Sequence, residues 1–189
     1  MDTIVSLAFL FVILGLVVYV VMIFNGLIAL KNDIAKSWAN IDILLNQRHD
    51  ELPKLFDICK GYMDFERDTL QKITQARSLY QQAVSVDQKA QADQSMTSAL
   101  RGFFAVAENY PQLKANDNFL RLQGRITDLE SQIADRREFY NDSVNTFNIR
   151  IQQMPDTFVA SFMKLTPRPM FKVEEADKAD VAMSFSAGK

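Results

Sequence analysis

The sequence predicts an all-α protein: an antiparallel three- to four-helix bundle with an N-terminal transmembrane helix and an extended C-terminal tail. Three observations predict it. No charged residue occurs between Asp2 and Lys31. Three long stretches after Leu27 repeat apolar residues at steps of three and four, the signature of helices that bury one face. Breakers fall between those stretches or close them, at Ser85–Asp87, Pro111 and Pro155, with Pro53 alone inside one. The 189 residues then divide into an anchor at 1–30, a helical-bundle domain at 31–155 and an extended tail at 156–189, partly docked on the bundle.

The anchor comes first. Ile4 to Phe24 is strongly apolar, with Ser6 and Gly15 departing from bulky side chains and Tyr19 carrying the one sizeable polar tip. At about 1.5 Å per residue this run spans roughly 30 Å, the thickness of a bilayer's hydrocarbon core. A helix satisfies its own backbone in lipid, and one that is apolar on every face belongs there. A cleaved signal peptide would need a basic start and a small-residue cleavage site; the chain opens Met-Asp-Thr and continues Phe-Asn-Gly-Leu-Ile after the run. Lys31 and Lys36 follow the span and no Lys or Arg precedes it. The positive-inside bias therefore favours an outside N-terminus and a cytoplasmic body.

The first amphipathic stretch runs from Leu27 through Trp38, Ile41, His49, Cys59 and Glu66 to Arg77, Tyr80 and Val84. Extended strands would alternate at every second residue instead. The spacing predicts one long helix continuous with the anchor, interrupted and kinked at Pro53, which removes a hydrogen bond and crowds the preceding turn. Ser85 and Asp87 are placed to cap a second helix, with Gln88 and Gln91 in its first turn. That helix runs to about Tyr110 and buries Met96, Leu100, Phe103 and Val106, and Pro111 ends it. A third starts near residues 116–118. Its stripe of Phe119, Leu122, Ile126, Ile133, Arg137, Tyr140 and Phe147 continues to Met154 before Pro155. Such helices pack antiparallel over shared coiled-coil-like seams. Beyond Asp156 the periodicity fades, yet Phe158, Phe162, Phe171 and Phe185 remain, so the tail is expected to lie extended across the bundle or a neighbouring subunit.

Composition narrows function. Formal charge is −2 with no basic stripe, which argues against nucleic-acid binding. One cysteine, Cys59, and one histidine, His49, cannot make an internal disulfide or build a structural zinc site. No nucleophile triad, glycine-rich phosphate loop or HExxH sequence is present. No cofactor, metal or catalytic residue is expected.

The remaining candidates are interaction or structural residues. His49 lies in the first seam beside Arg48 and reads as a hydrogen-bonded, partly buried histidine rather than a metal ligand. Glu66, Arg77 and Arg137 fall at seam positions, where buried ion pairs fix helix register. Glu108-Asn109-Tyr110-Pro111 reads as the turn between the second and third helices, with Glu108 and Asn109 serving free backbone groups above Tyr110. Gly61 and Gly102 lie inside helical pattern at a cost of up to about 1 kcal/mol, which points to close helix approach within the chain or between copies. Cys59 reads as a small buried apolar residue.

Three stretches carry a family resemblance. The first is Trp38-Ala39-Asn40-Ile41-Asp42 with Gln47-Arg48-His49-Asp50, Pro53-Lys54-Leu55 and Lys60-Gly61-Tyr62. The second is Ala105-Val106-Ala107-Glu108-Asn109-Tyr110-Pro111-Gln112-Leu113-Lys114-Ala115-Asn116 with Asn118-Phe119. The third is Ala134-Asp135-Arg136, Tyr140-Asn141, Val144, Phe147-Asn148, Ile151 and Pro155. Over nearly its whole length the chain resembles the LemA family. The resemblance implies a bacterial single-pass membrane protein with a helical body and no named enzymatic activity. The expected function is a membrane-anchored scaffold or adaptor at the inner membrane that self-associates into a homo-oligomer or recruits membrane or cytoplasmic protein partners. A signal-transmitting or transport-accessory role and a cryptic hydrolase are the alternatives.

Overall fold

The protein's structure, a computed structural model, describes residues 2–62 and 67–171. Glu66, Met63 and Phe185 lie outside the described residues. Helix α1 covers Asp2–Cys59, about 87 Å at 1.5 Å per residue. Its apolar run from Ile4 to Met22 is exposed on all sides. Burial begins at Ile23 and then follows one face through Leu27, Ile34, Ile41, Leu45, Leu52 and Cys59. One uninterrupted helix therefore joins an anchor suited to lipid to a body helix suited to packing.

Helix α1 continues through Pro53. Leu52, Leu55 and Cys59 are fully buried around it, and that burial offsets a proline cost of about 3 kcal/mol. The break falls at residues 60–62, so the predicted first helix is two. Helix α2 covers Arg67–Gln82 and Val84 lies beyond it, 92% exposed rather than in the seam.

Helix α3 covers Val86–Ala107. Ser85 caps it through a reciprocal capping box with Gln88, which satisfies two otherwise free amides. It stops three residues short of the expected Tyr110. Pro111 opens a one-turn helix, α4 (Pro111–Lys114), because a proline at the first helical position forfeits only an unused donor. Asn116 caps α5 (Asp117–Arg150), accepting from the amides of Asn118 at 2.9 Å and Phe119 at 3.2 Å. Met154, expected in its stripe, lies past the helix end and is 72% exposed.

The tail is not wholly extended. Asp156–Phe162 forms a two-turn helix, α6, closed by Lys164 with φ 54°. The Leu165 amide donates to the Ala160 carbonyl and the Lys164 amide to Ser161, a left-handed cap that satisfies two of the last carbonyls. Residues 165–171 then continue without regular structure, and no strand occurs among the described residues.

Cross-helix bonds fix the topology. Arg77 on α2 meets His49 and Tyr80 meets Asp42, so α2 returns antiparallel to α1. Lys89 meets Asp42 and Asp93 meets Arg48, so α3 runs parallel to α1. Thr97 meets Glu130 and Asp93 meets Arg137, so α5 returns antiparallel. Two apolar cores result. The one far from the anchor centres on Leu52, Leu55, Phe103, Leu113 and Phe119. The one near it centres on Leu27, Ile41, Leu45, Tyr140 and Phe147.

Candidate functional site

Between the two cores, α1, α3 and α5 bring charge together. Arg48 is 3% exposed and Asp93 is fully buried. The Arg48 Nη2 donates to Asp93 Oδ1 at 2.6 Å, and its Nη1 donates to Glu130 and to Thr97 Oγ1, the latter at 3.1 Å. Thr97 in turn donates to Glu130 Oε2 at 3.1 Å, and Arg137 pairs with the other oxygen of Asp93. Two guanidiniums and two carboxylates thus neutralise one another. Burial pulls the Arg48 pKa down, and Glu130 opposes it by attraction and hydrogen bonding. A carboxylate bridging two arginines accepts in a fixed geometry, which sets the axial register of three helices.

One helical turn toward the anchor lies a second row. The Tyr80 hydroxyl donates to Asp42 Oδ1 at 3.0 Å, and the Lys89 Nζ sits 2.5 Å from the same oxygen. That ammonium also lies 5.5 Å from the Tyr80 ring centre and 6.0 Å from the Trp38 ring centre, within cation–π range. Burial, then the bond to Asp42, pushes the Tyr80 pKa up, so this tyrosine remains a donor.

A third row fastens the tail. Trp38 stacks on Phe171 at 5.8 Å and meets Tyr140 edge-on at 6.0 Å. Asn141 donates to the Phe171 carbonyl at 3.1 Å and accepts from its amide at 2.7 Å. Asn148, two turns along α5, does the same for Arg168, both bonds at 2.8 Å. Two side-chain amides thereby replace the partners a strand would give this segment. Burial also raises the Tyr140 pKa.

Of the sequence candidates, Trp38, Asp42, Arg48, His49, Arg137, Tyr140 and Asn141 converge on these three rows, and Asn40 is half-buried on the same stretch of α1. Pro53 lies one turn beyond them. Glu108, Asn109, Tyr110, Pro111 and Lys114 lie at the far end, where backbone bonds from Asn109 to Val106 and from Tyr110 to Ala107, both 3.0 Å, close the turn. Glu108, Asn109 and Lys114 are exposed there, while Tyr110 packs on the distal core. Sequence reasoning missed Asp93, Glu130, Lys89 and Asn148. Extending the α3 stripe back from Met96 by steps of three and four reaches Asp93 and Lys89, a signal hidden because both are charged.

The chemistry available is modest. The cavity beside Arg48, His49 and Tyr80 measures about 10 Å³, room for about one water. Among the described residues no group of three His, Cys, Asp or Glu could hold a metal ion. Burial raises the Cys59 thiol to about 11, which keeps it protonated and poorly nucleophilic.

His49 accepts from Arg77 Nε at 3.2 Å. Burial lowers its pKa, Arg77 and Arg48 lower it further, and Asp50, 4.0 Å away, partly opposes them. The neutral ring is therefore the folded form. Below pH ~6.5 the unfolded chain binds the proton more readily than the folded one. Stability contributed by His49 is accordingly complete above that pH and is lost as pH falls from there toward the lowered folded value. Melts of wild type and His49→Gln are expected to diverge in this window, the wild type losing more. Parallel curves would contradict the buried neutral assignment.

The description "LemA family" matches residues 37–185. Protein LemA of Metamycoplasma hominis is 30% identical over 162 residues, covering 85% of this chain and 74% of that protein. Magnetosome protein MamQ 2 of Paramagnetospirillum magneticum is 35% identical over 69 residues, covering 36% of this chain and 25% of its own. Magnetosome protein MamQ of Magnetospirillum gryphiswaldense is 32% identical over a stretch of the same length. The family match begins at Ser37, beside Trp38, and takes in the core far from the anchor and all three polar rows: this chain belongs to the LemA family.

Proposed function

We propose that this protein is a non-catalytic scaffold, anchored by α1 in the bacterial inner membrane with its body in the cytoplasm, that self-associates through the outer face of α2 and α3. One observation carries the reading. Gly102 lies mid-helix in α3, and a Cβ built there meets nothing within 4 Å. No close approach inside the chain requires the glycine, although it costs the helix up to about 1 kcal/mol relative to alanine. It forms part of a groove of about 550 Å³ between α2 and α3 that also takes in Ala76, Leu79, Ser98, Ala99 and Val106. Small residues at helical spacing with an exposed leucine beside them suit a helix of a second copy. Confinement to the bilayer raises the local concentration of bodies, so a weak contact suffices.

The polar rows support this reading by serving architecture: their charges pair with one another across α1, α3 and α5. The lysines after the span, Lys31 and Lys36, support the cytoplasmic orientation. Cross-linking in native membranes tests the proposal. Ser98→Cys, in the groove, is expected to give a covalent dimer with a short bifunctional thiol reagent, whereas Arg136→Cys on the outer face of α5 gives monomer. Cys59, buried and protonated, contributes little background. Equal yields from the two positions, or none from Ser98→Cys, would remove the α2–α3 face from consideration.

A further inference from the structure

Helix α6 packs one side on the body and leaves the phenylalanines of the other side exposed. Asp156, Val159 and Ala160 are buried, whereas Phe158 is 67% and Phe162 86% exposed. Phe158, Val159 and Phe162 face Val20, Val21 and Phe24 across a wholly apolar groove of about 410 Å³. Those three α1 residues lie at the end of the strongly apolar Ile4–Phe24 run. The groove is thus continuous with the lipid-facing surface of the anchor.

Its position is fixed by polar contacts on the body side. Arg150 Nε donates to Asp156 at 2.6 Å, and the same guanidinium lies against Gly26, where a Cβ would come within 3.1 Å of it. Glycine at 26 lets the arginine seat on α1, and the arginine holds α6 beside the helix where it leaves the hydrocarbon. Just beyond, Lys31, Lys164 and Arg168 are exposed. Lys164 occupies a left-handed backbone position that glycine would take more cheaply, so a cation stands two residues from Phe162. Apolar rings below and cations above match the layering of a phospholipid leaflet, from acyl chain to phosphate.

We infer that α6 is an interfacial membrane element: Phe158 and Phe162 insert below the phosphates, and a phospholipid acyl chain fills the groove between α6 and the end of the anchor. The inference rests on the anchor spanning a bilayer and is independent of self-association. It gives the body a second, peripheral attachment that restrains its tilt about α1.

The test uses the full chain in vesicles of phosphatidylcholine, with and without bromine at carbons 6 and 7 of one acyl chain. Trp38, the single native tryptophan, lies fourteen residues beyond Phe24, about 21 Å along the helix, and serves as an internal control. Phe162→Trp adds an emitter at an exposed site without touching either core. The added emission is expected to fall by more than half in brominated vesicles, while wild-type emission is unchanged. Added emission of equal strength in both vesicle types would overturn the inference. So would emission that is blue-shifted only at high protein-to-lipid ratio, since a second copy would then be covering the phenylalanines.

Discussion

Replacing Asp93 with asparagine is expected to destabilise the fold by about 3–5 kcal/mol, the range seen when one partner is removed from a buried ion pair. The carboxylate is fully buried and holds Arg48 with one oxygen and Arg137 with the other. Asparagine keeps the shape and one acceptor but removes the negative charge beside Arg48, itself 3% exposed, and leaves Glu130 alone to balance two guanidiniums. Arg137, more exposed, can turn to water. For a chain of this size the loss corresponds to a fall in Tm of roughly 6–20 °C. Removing both members of the buried pair should cost far less, because apolar side chains of similar volume often replace such pairs without penalty. Arg48→Met combined with Asp93→Leu is therefore expected to recover most of the melting temperature lost in Asp93→Asn. Thermal melts in one detergent compare the three proteins. A fall under about 2 °C for Asp93→Asn would show that the cluster contributes little to stability.

Gly102 offers the opposite pattern, a large change in assembly with none in folding. Gly102→Ala adds a methyl group into open space and a better helix former, so it should raise stability by up to about 1 kcal/mol. Gly102→Phe also has open space at its Cβ, and its ring is sized to fill the α2–α3 groove. It should weaken association at least tenfold, which is about 1.4 kcal/mol. The neighbouring Phe103 is fully buried and points into the distal core, so substitutions one residue apart report on different events. If Gly102→Phe lowers the melting temperature as a core substitution would, the residue is packed inside the fold and the groove is not an interface.

Much of this architecture was legible in the sequence, because it follows from periodicity and length. The charge-free run to Lys31 fixed the anchor, and the stripes of α3 and α5 name nearly every buried residue of those helices. The errors have particular causes. The three-and-four spacing runs unbroken through Lys60–Tyr62, so α1 and α2 read as one helix with a kink at Pro53, whereas α1 ends at Cys59. Helix α6 is too short for periodicity to stand out, and its exposed phenylalanines resemble a docked tail until their closeness to Phe24 is seen. Asp93 precedes Met96, where the α3 stripe starts, and Glu130 stands beside Leu129, which already fills the step between Ile126 and Ile133. The Asn141 and Asn148 clamps depend on where residues 168 and 171 lie in space, which local pattern does not encode.

The claim that this membrane-anchored bundle works as a self-assembling scaffold is tested most directly by the mass of the full chain extracted in mild detergent. Native mass spectrometry over a wide range of protein concentration is expected to give a discrete multiple of the 21.6 kDa chain, and Gly102→Phe is expected to give single chains under the same conditions. A wild-type protein that stays at one chain throughout that range would contradict it.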